Sequence, residues 1–319
     1  MAYYMLSTIP EQKRFFKALE YSLENIIGIS TVTTGENMID TSANLIHQKI
    51  RLFGVDIDNK SMTQAIDFIS DKIKSNETAN IAFVNTDCLN KVTINQEYRE
   101  ALKNFDQIYA DGIGIRIGCK MRNINIVDNV NGTDMFPLLC EQAARHKIKL
   151  FLLGAKQGIA EKCANNMMQA YPGLDIVDTQ HGYFSKQETD DVITKINQSG
   201  ANLLIVGFGV PLQEQWIDQH ASQLKTNVQI GVGGLFDFYS GKIPRAPLWM
   251  RNVGCEWVWR LLQEPKRMWH RYIVGNPLYL IRALIFSRNY LKAETIGLFD
   301  QDKLNLDPVY CFYLIPLII

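Results

Sequence analysis

Asp111 is the residue of this chain whose position best suits acid–base chemistry. It follows the apolar run 107–110 and directly precedes the flexible segment Gly112-Ile113-Gly114. A carboxylate at the end of a buried strand can take the proton of a hydroxyl group held beside it, which is the role of a general base. A turn or capping aspartate is the competing interpretation. Asn85-Thr86-Asp87 follows another apolar run and places further polar side chains in an equivalent position.

Glycine-rich loops follow three further apolar runs. Loops that open helices expose backbone N–H groups and the positive end of a helix dipole, and both can bind a phosphate. For any one loop, a tight strand-to-helix turn explains the glycines equally well. Taken together, the five strand ends indicate one shared pocket. The candidate ligand-binding residues in the three loops are Gly154, Gly207, Gly209, Gln213, Glu214, Gly233, Phe236 and Asp237.

Two polar groups have both a structural and a ligand-binding interpretation. Asn131-Gly132-Thr133-Asp134 has the composition of a turn followed by a helix N-cap, which Asn131 or Thr133 could supply. Gln213 and Glu214 fall in the first turn of a helix that begins near Pro211, where an acid complements the helix dipole. The same pair could instead supply the donor and acceptor that a uracil ring needs.

Short apolar or β-branched runs alternate with helical patterns from residue 50 onward. This alternation predicts an α/β fold, with a parallel sheet and helices on both faces. Because ligands bind beyond the carboxyl ends of such strands, the loops described above are expected to meet. Helices are predicted to begin near Thr133, Gly158, Lys186 and Pro211. The predicted strands are Ile81–Val84, Gln107–Ala110, Lys149–Leu153, Leu174–Val177, Leu203–Val206 and Val228–Val232.

The C-terminal part of the chain is basic and rich in tryptophan. Residues 242–292 contain ten Lys or Arg and two acids, in a chain whose 33 basic and 33 acidic residues balance. Trp and Arg side chains together fit a surface that meets anionic lipid headgroups. Base stacking on nucleic acid and an ordinary pair of packed helices are the alternatives, and the apolar run 279–286 favours lipid over nucleic acid. Four of the five tryptophans lie here, namely Trp249, Trp257, Trp259 and Trp269.

The sequence divides into three parts. Residues 1–48 form an N-terminal extension, residues 49–250 the α/β core, and residues 251–319 a helical, membrane-associating appendage and tail. We expect the core to fold without the appendage. The six cysteines are scattered without a CxxC pair, which argues against a disulfide framework or zinc site and favours a reducing cytosol. No stretch approaches the ~20 apolar residues of a spanning helix, so membrane contact is expected to be peripheral.

Several segments, in this order and spacing, resemble the WecG/TagA/CpsF family of bacterial glycosyltransferases. The resemblance runs from about Leu52 to Leu284 and leaves the first fifty residues and the tail outside it. Each segment is modest alone, but the ordered set is specific. The segments are Ala110-Asp111-Gly112-Ile113-Gly114, Asn131-Gly132-Thr133-Asp134, Gly207-Phe208-Gly209-Val210-Pro211-Leu212-Gln213-Glu214, Gly231-Val232-Gly233-Gly234-Leu235-Phe236-Asp237, Gly241-Lys242-Ile243-Pro244-Arg245-Ala246-Pro247, Glu256-Trp257 and Glu264-Pro265-Lys266-Arg267.

The resemblance implies a Rossmann-like core that moves a sugar from a UDP-sugar to a polyprenyl-diphosphate-linked saccharide in bacterial surface polysaccharide assembly. Transfer would invert the anomeric carbon, and the sugar could be N-acetylmannosamine, its uronic acid or glucose. Asp111 matches the family's proposed base, and Asn85 or Thr86 matches an active-site polar residue. Donor binding is implied for Asn131, Thr133 and Asp134 together with the loop residues named above. Diphosphate binding, of donor or acceptor, is expected of Arg245, Arg260, Arg267 and Arg271.

No metal or other cofactor is expected. Asp56-Ile57-Asp58 and Asp300-Gln301-Asp302 have the DxD spacing of many metal-dependent sugar transferases, but both are interpreted as solvated acids. The expected partners are the two substrates and an anionic membrane surface at the cytoplasmic face of the cell membrane, without nucleic acid. A homo-oligomer is left open.

Two alternatives from other functional classes remain. One is an NAD(P)-dependent oxidoreductase that uses Gly112, Gly114 and Gly118 as a dinucleotide-binding loop, although their spacing departs from that fingerprint. The other is a non-catalytic membrane scaffold, for which the basic, aromatic segment alone would suffice.

Overall fold

A computed structural model describes residues 49–295 of the chain, with side-chain surroundings described as far as residue 285. The predicted N-terminal extension, residues 1–48, lies outside the described residues. So does the tail from residue 296, including the second DxD segment.

Residues 49–295 are built on one sheet of eight strands in the order β1-β2-β4-β3-β8-β7-β5-β6. The first two strands pair antiparallel, and every other neighbouring pair is parallel. The α/β class with a mainly parallel sheet is therefore confirmed. The strands are β1 (Lys49–Leu52), β2 (Val55–Asp58), β3 (Ala79–Val84), β4 (Gln107–Ala110), β5 (Lys149–Gly154), β6 (Asp175–Gln180), β7 (Leu203–Gly207) and β8 (Val228–Gly231).

The hairpin β1–β2 was not predicted from the sequence. Strand β1, at the sheet edge, alternates between exposed and buried residues, whereas β2 is buried at three of its four positions, and each strand has only four residues. Phe53 and Gly54 form its turn with positive φ angles of 51° and 83°. Phe-Gly is not one of the usual dipeptides for such a turn, so the sequence carried no clear hairpin signal.

The interpretation of Asp56-Ile57-Asp58 as two solvated acids is wrong for one of them. Asp56 is exposed, but Asp58 is buried in β2. Its Oδ2 accepts a hydrogen bond from the backbone N–H of Ile108 at 2.9 Å, and its Oδ1 lies 3.6 Å from Lys49 Nζ. Asp58 therefore joins the hairpin to β4.

Helices connect the strands, and the predicted starts are confirmed to within a few residues. A 3-10 turn, Lys186–Glu188, stands where a helix was predicted, and α7 follows it directly. Side-chain caps fix several starts: Ser61 and Gln64 form a capping box before α1. The helices are α1 (Met62–Lys74), α2 (Thr86–Val92), α3 (Gln96–Lys103), α4 (Ile113–Lys120), α5 (Gly132–His146), α6 (Ile159–Ala170), α7 (Thr189–Ser199), α8 (Leu212–His220), α9 (Leu235–Tyr239), α10 (Leu248–Asn252), α11 (Glu256–Gln263), α12 (Pro265–Trp269) and α13 (Gly275–Thr295).

Each face of the sheet carries its own apolar layer. Alternate residues of β5 supply both: Leu150 and Leu152 belong to one layer, and Phe151 and Leu153 to the other. Helices α1, α5 and α6 cover the first layer, while α2, α3, α7, α8 and α13 cover the second. Helices on both faces are thus confirmed.

The C-terminal helices pack on the core. The predicted boundary at residue 250 falls inside α10, and a π-helical turn, His270–Val274, leads into α13. Helix α13 contacts α2 and α4. Its Tyr279 and Ala283 are buried in the layer that also contains Ile115. Among residues 49–295, no helix is long and apolar enough to cross a membrane.

Candidate active site

A cavity of about 590 Å³ lies at the carboxyl ends of β3 and β4, where the sequence placed its first candidates. The core supplies one side of the cavity and the C-terminal helices the other. From the core come Asn85, Thr86, Asp111, Gly112, Ile113, Gly114, Ile117, Asn129, Asn131, Thr133, Asp134 and Phe238. From the C-terminal helices and the segments between them come Arg251, Gly254, Glu256, Trp257, Arg260, Arg271, Tyr272, Ile273, Asn276, Pro277, Tyr279 and Leu280.

Asp111 lies at the cavity wall directly after β4. Its backbone N–H donates to Val84 O at 2.8 Å, which ties the residue to the end of β3. Burial raises the pKa of its carboxyl above the ordinary value, Arg271 and the hydrogen bond from Asn85 oppose this rise, and Glu256 adds to it. A carboxyl group that is partly exposed to the cavity and has a raised pKa is suited to accept a proton.

Asn85 holds both Asp111 and the start of α2. Its Oδ1 accepts the backbone N–H groups of Asp87 and Cys88 at 3.1 and 3.2 Å, so the residue is the N-cap of the helix. This leaves its Nδ2 to donate to Asp111 Oδ2 at 3.5 Å. The cap therefore fixes which end of the Asn85 amide faces the carboxyl of Asp111.

Thr86 lies beside Asn85 but contacts a different partner. Its Oγ1 donates to Asn276 Oδ1 of α13 at 2.7 Å. Both members of the predicted pair thus line the cavity, with Asn85 on the carboxylate and Thr86 on the C-terminal helix.

The glycines after β4 serve a turn and close helix packing. Gly112 has φ of 94° and donates its N–H to Asn129 Oδ1 at 2.6 Å. Gly114 and Gly118 lie inside α4, not in a loop. A Cβ at Gly114 would lie 2.3 Å from Thr86 Cγ2, and one at Gly118 would lie 2.1 Å from the Tyr279 hydroxyl. These contacts explain the glycines without a dinucleotide.

Asp134 gathers two arginines at the cavity edge. Asn131 caps α5 through the Asp134 N–H at 2.8 Å and also donates to Asp134 Oδ2 at 2.8 Å. Asp134 Oδ1 accepts from Arg245 at 2.8 Å and lies 3.5 Å from Arg251 Nη1. Burial would raise the pKa of Asp134, but the Asn131 bond and the two guanidinium groups hold it below the ordinary value. Asp134 thus remains an anion that anchors arginines.

Within the described part of the chain, three arginines line the cavity, and one of them was not predicted. The Arg260 guanidinium lies over the Phe238 ring at 4.9 Å, and Arg271 Nε lies 3.6 Å from Asp87 Oδ2. Arg251 was not among the candidates, although it lies in the basic, tryptophan-rich segment. The buried Nε atoms of Arg251 and Arg260 have no hydrogen-bond partner among the described residues. Because these arginine residues line the cavity wall, their guanidinium groups can present N–H donors to an anion bound there.

The other two predicted arginines lie elsewhere. Arg245 stands behind the lining residues, between Asp134 and Glu256 Oε2 at 3.5 Å. Arg267 is exposed and pairs with Glu264 at 3.3 Å. The cavity wall does not include Arg267, so the structure does not bring it to the site.

Residues 50–293 of the chain match the model of the glycosyl transferase WecG/TagA/CpsF family. The chain belongs to this family. Three similar relatives are the proteins named N-acetylglucosaminyldiphosphoundecaprenol N-acetyl-beta-D-mannosaminyltransferase from Staphylococcus aureus strains MW2, NCTC 8325 / PS 47 and COL. Each is 28% identical to this chain over 248 residues, which covers 77% of the chain and 96% of the relative. The predicted glycosyltransferase is confirmed, and the oxidoreductase and the non-catalytic scaffold are set aside.

In this glycosyltransferase the loops after β5, β7 and β8 lie outside the cavity wall. Gln213 Oε1 accepts the N–H groups of Gly209 and Gly233 at 3.1 and 2.8 Å, which links two loops. Gln213 Nε2 donates to Glu214 Oε1 at 2.7 Å. Glu214 is fully buried, and burial raises its pKa to about 7. The pair predicted to bind a base is thus enclosed by protein.

The remaining loop candidates also have packing partners. A Cβ at Gly154 would lie 2.5 Å from the Gly207 carbonyl oxygen, so both glycines allow β5 and β7 to end close together. Phe236 is fully buried, and Asp237 Oδ1 pairs with Lys242 at 2.8 Å. Their predicted roles in donor binding have no support from the cavity geometry.

Sequence reasoning missed several cavity residues that the C-terminal helices supply. Tyr272, Asn276, Tyr279 and Ala283 recur at helical spacing on the face of the chain that is turned to the core. Asn276 is the polar member of that stripe. A polar residue at a core-facing position of an otherwise apolar helical pattern is the sequence feature from which Asn276 could have been predicted.

Proposed function

We propose that this glycosyltransferase moves an N-acetylmannosamine-type sugar from a UDP-sugar to a polyprenyl-diphosphate-linked N-acetylglucosamine, with inversion at the anomeric carbon. The names of the relatives support this donor sugar and acceptor. The observation that carries the proposal is Asp111, which has a raised pKa in a cavity that also contains the Arg251, Arg260 and Arg271 side chains.

In the proposed reaction Asp111 takes the proton of the acceptor hydroxyl. The oxygen of that hydroxyl attacks the anomeric carbon of the donor as the bond from this carbon to the UDP oxygen breaks. UDP leaves with the bonding pair, and the configuration of the sugar inverts because displacement occurs from the opposite side. Asn85 holds the Asp111 carboxylate through its Nδ2 at 3.5 Å, which keeps the base oriented toward the acceptor.

The arginines supply the positive charge that a departing diphosphate requires. A guanidinium presents two parallel N–H groups to phosphate oxygens. Arg271 and Arg260 lie close enough to Asp111 to lower its pKa electrostatically, so a diphosphate bound to them would lie next to the base. Fixed cations at a leaving group stabilise the transition state without any rearrangement of solvent.

Metal-independent transfer is part of the proposal. The guanidinium groups of Arg251, Arg260 and Arg271 can neutralise the leaving UDP without a metal ion. We expect transfer to continue in excess EDTA. Loss of transfer with chelator and its return with Mg²⁺ or Mn²⁺ would contradict this part.

We also propose that the C-terminal helices dock on the anionic cytoplasmic surface of the cell membrane. The support is an apolar face on the outer side of residues 269–285, opposite the stripe that packs on the core. Its side chains are 38–54% exposed, and Lys266 and Arg267 lie next to it in sequence. Apolar side chains can insert at the interface while the basic groups meet headgroups. The apolar face comprises Trp269, Val274, Leu278, Ile281, Leu284 and Ile285.

The direct test supplies the purified protein with a panel of UDP-sugars and a short-chain polyprenyl-diphosphate-linked N-acetylglucosamine. We expect transfer from the N-acetylmannosamine donor, and nuclear magnetic resonance of the product should show the inverted linkage. Transfer from another UDP-sugar would correct the donor, and a retained linkage would overturn the mechanism. Absence of transfer from every donor would overturn the proposed substrates.

Membrane docking is tested by replacing Ile281 and Leu284 with serine and measuring binding to vesicles that contain phosphatidylglycerol. Both side chains are about half exposed, at 54% and 50%, so the fold should tolerate the change. We expect binding to weaken several-fold. The control is Tyr183→Ser, because this side chain is 72% exposed and lies outside the C-terminal helices. Equal binding by all forms would contradict docking through this face.

A further inference from the structure

Helix α2 and the C-terminal helix are joined by side-chain hydrogen bonds. Asn90 Nδ2 donates to the Gly275 carbonyl at 2.8 Å, and Asn90 Oδ1 accepts from Arg282 Nη1 at 2.8 Å. Thr86, one turn earlier on α2, donates to Asn276 Oδ1 at 2.7 Å. Because Asn90 binds the residue next to Asn276, it fixes the place on α13 from which Asn276 reaches Thr86.

The Thr86 side chain is held on two sides. Its methyl group lies against Gly114, where a Cβ would come within 2.3 Å of it. Its hydroxyl is directed to Asn276. A threonine side chain has more than one accessible rotamer. Close contact with Gly114 on one side and a hydrogen bond on the other select one of them.

The direction of the Thr86–Asn276 hydrogen bond determines what the hydroxyl offers to the cavity. A hydroxyl has one proton to donate and two lone pairs. Since the proton of Thr86 is directed to the Asn276 oxygen, only lone pairs remain for a ligand. Thr86 would then accept a hydrogen bond from an N–H or O–H group of a substrate and would repel an acceptor group at the same place.

We propose that Asn276 is a positioning residue that makes Thr86 a hydrogen-bond acceptor for a substrate N–H or O–H group, and that Asn90 holds Asn276 in place. This inference rests on the proposed function, because it assigns Thr86 to a substrate of that reaction. It means that α13 completes the site through an uncharged contact, in addition to the arginines that precede it. Asn276 also lines the cavity, but in this proposal Asn276 and Asn90 act through Thr86.

The rotamer of Thr86 provides a test that does not depend on turnover. In protein labelled at threonine methyl groups, three-bond couplings to the Thr86 methyl report its χ1 angle. We expect a single rotamer in the wild type and an average of rotamers in Asn276→Ala. Asn276→Asp retains an acceptor oxygen and should restore the single rotamer. A wild type with averaged rotamers, or Asn276→Ala with an unchanged rotamer, would overturn the proposal.

Kinetics then connect the rotamer to the reaction. We expect Asn276→Ala and Thr86→Val each to lower kcat by about tenfold, as loss of one well-placed hydrogen bond does. The double variant should be no slower than Thr86→Val, because Asn276 acts through the Thr86 hydroxyl. Asn104→Ala removes a comparable hydrogen bond to Asp218 on the surface and is the control.

Two outcomes separate this inference from the proposed function. Effects of Asn276→Ala and Thr86→Val that multiply in the double variant would show that Asn276 acts independently of Thr86, and would overturn the inference. A wild type that transfers no sugar would overturn the proposed function, while the methyl couplings would still decide whether Asn276 positions Thr86.

Discussion

At the scale of residues, Asp111 and its neighbours predict how activity depends on pH. A general base works only when deprotonated, so activity is lost as the pH falls through its pKa. Burial raises the pKa of Asp111 more than Arg271 and Asn85 lower it. We therefore expect the acidic limb of the kcat/KM profile to lie at higher pH than an ordinary aspartate would give.

Asp111→Asn should lower turnover by about 10² or more, because the amide cannot take a proton at neutral pH. Its residual activity should lack the acidic limb of the wild type. UDP binding, measured by calorimetry, should persist because the arginines are unchanged. Undiminished turnover in this variant would remove Asp111 from the role of base.

The two arginines Arg267 and Arg271 form a matched pair for testing diphosphate recognition. Arg271 lines the cavity, whereas Arg267 is exposed and pairs with Glu264. Lysine keeps the charge but lacks the planar fork of N–H groups. We expect Arg271→Lys to lower activity by about tenfold, from roughly 1–3 kcal/mol of lost hydrogen bonding, and Arg267→Lys to retain activity. Equal activity of the two variants in the transfer assay would contradict the assignment of Arg271.

At the scale of elements, the buried Glu214 makes the link between α8 and its neighbouring loops sensitive to pH. Burial raises its pKa to about 7 from 4.5, so the folded protein binds this proton more tightly than the unfolded chain does. The contribution of this proton to the free energy of unfolding is fully present below pH 4.5 and is lost as the pH rises through 7. Glutamine cannot ionise, so it removes this dependence.

We expect the Tm of Glu214→Gln minus the Tm of the wild type to increase from pH 5 to pH 8, because only the wild type ionises this side chain in that range. The corresponding gain in the free energy of unfolding is at most a few kcal/mol, since each unit of pKa shift corresponds to about 1.4 kcal/mol. Thermal unfolding at both pH values measures it, with Glu100→Gln on the surface as the control. A difference between variant and wild type that does not change with pH would contradict the raised pKa of Glu214.

The elements also show how far sequence reasoning reached. The six predicted strands formed where short apolar runs stand in the sequence, although β6 extends beyond its run through Asp178, Thr179 and Gln180. The catalytic candidates at the ends of β3 and β4 met in one cavity as parallel strand ends do. Helix α4 was not predicted, since Gly112-Ile113-Gly114 was interpreted as a flexible segment and glycine disfavours a helix. Its stability comes from contacts with Thr86 and Tyr279, which are distant in sequence and could not be predicted from it.

The ligand-binding residues predicted in the loops after β7 and β8 lie outside the cavity wall, and the reason is again a set of contacts that local sequence does not show. Gln213 and Glu214 have side chains that can bind a ligand, but nothing in their local sequence indicates that their oxygens are used by Gly209, Gly233 and each other. The arginines were harder still. Arg267 and Arg271 lie only four residues apart in the same basic segment. Only the packing of the C-terminal helices places Arg271 in the cavity and Arg267 on the surface.

At the scale of the whole molecule, the C-terminal helix is part of the folded core. Tyr279 is fully buried and its ring lies 5.7 Å from that of Phe53 in an edge contact. Loss of one large buried side chain commonly costs about 3–5 kcal/mol, against a total stability of about 5–15 kcal/mol for a typical domain. The expectation that the core folds without residues 251–319 is therefore at odds with this packing.

We predict that a chain ending after Met250 loses cooperative thermal unfolding, measured by circular dichroism. The control is a chain that ends after Thr295, which keeps Tyr279 and Ala283. A sharp transition in the shorter chain, at a temperature near that of the wild type, would show that the core is independent of its C-terminal helices.

The C-terminal helices carry the apolar face and also supply one side of the cavity, so the acceptor concentration that matters for the proposed reaction is the one in the bilayer. An acceptor anchored by its lipid chain reaches the cavity by diffusing in two dimensions, so the rate should follow its mole fraction in the bilayer and not its amount per volume of buffer. Adding inert lipid at constant total acceptor should slow transfer, although the bulk concentration is unchanged. The product keeps its lipid chain, so it also stays in the plane of the bilayer, where the next enzyme can meet it without passage through water.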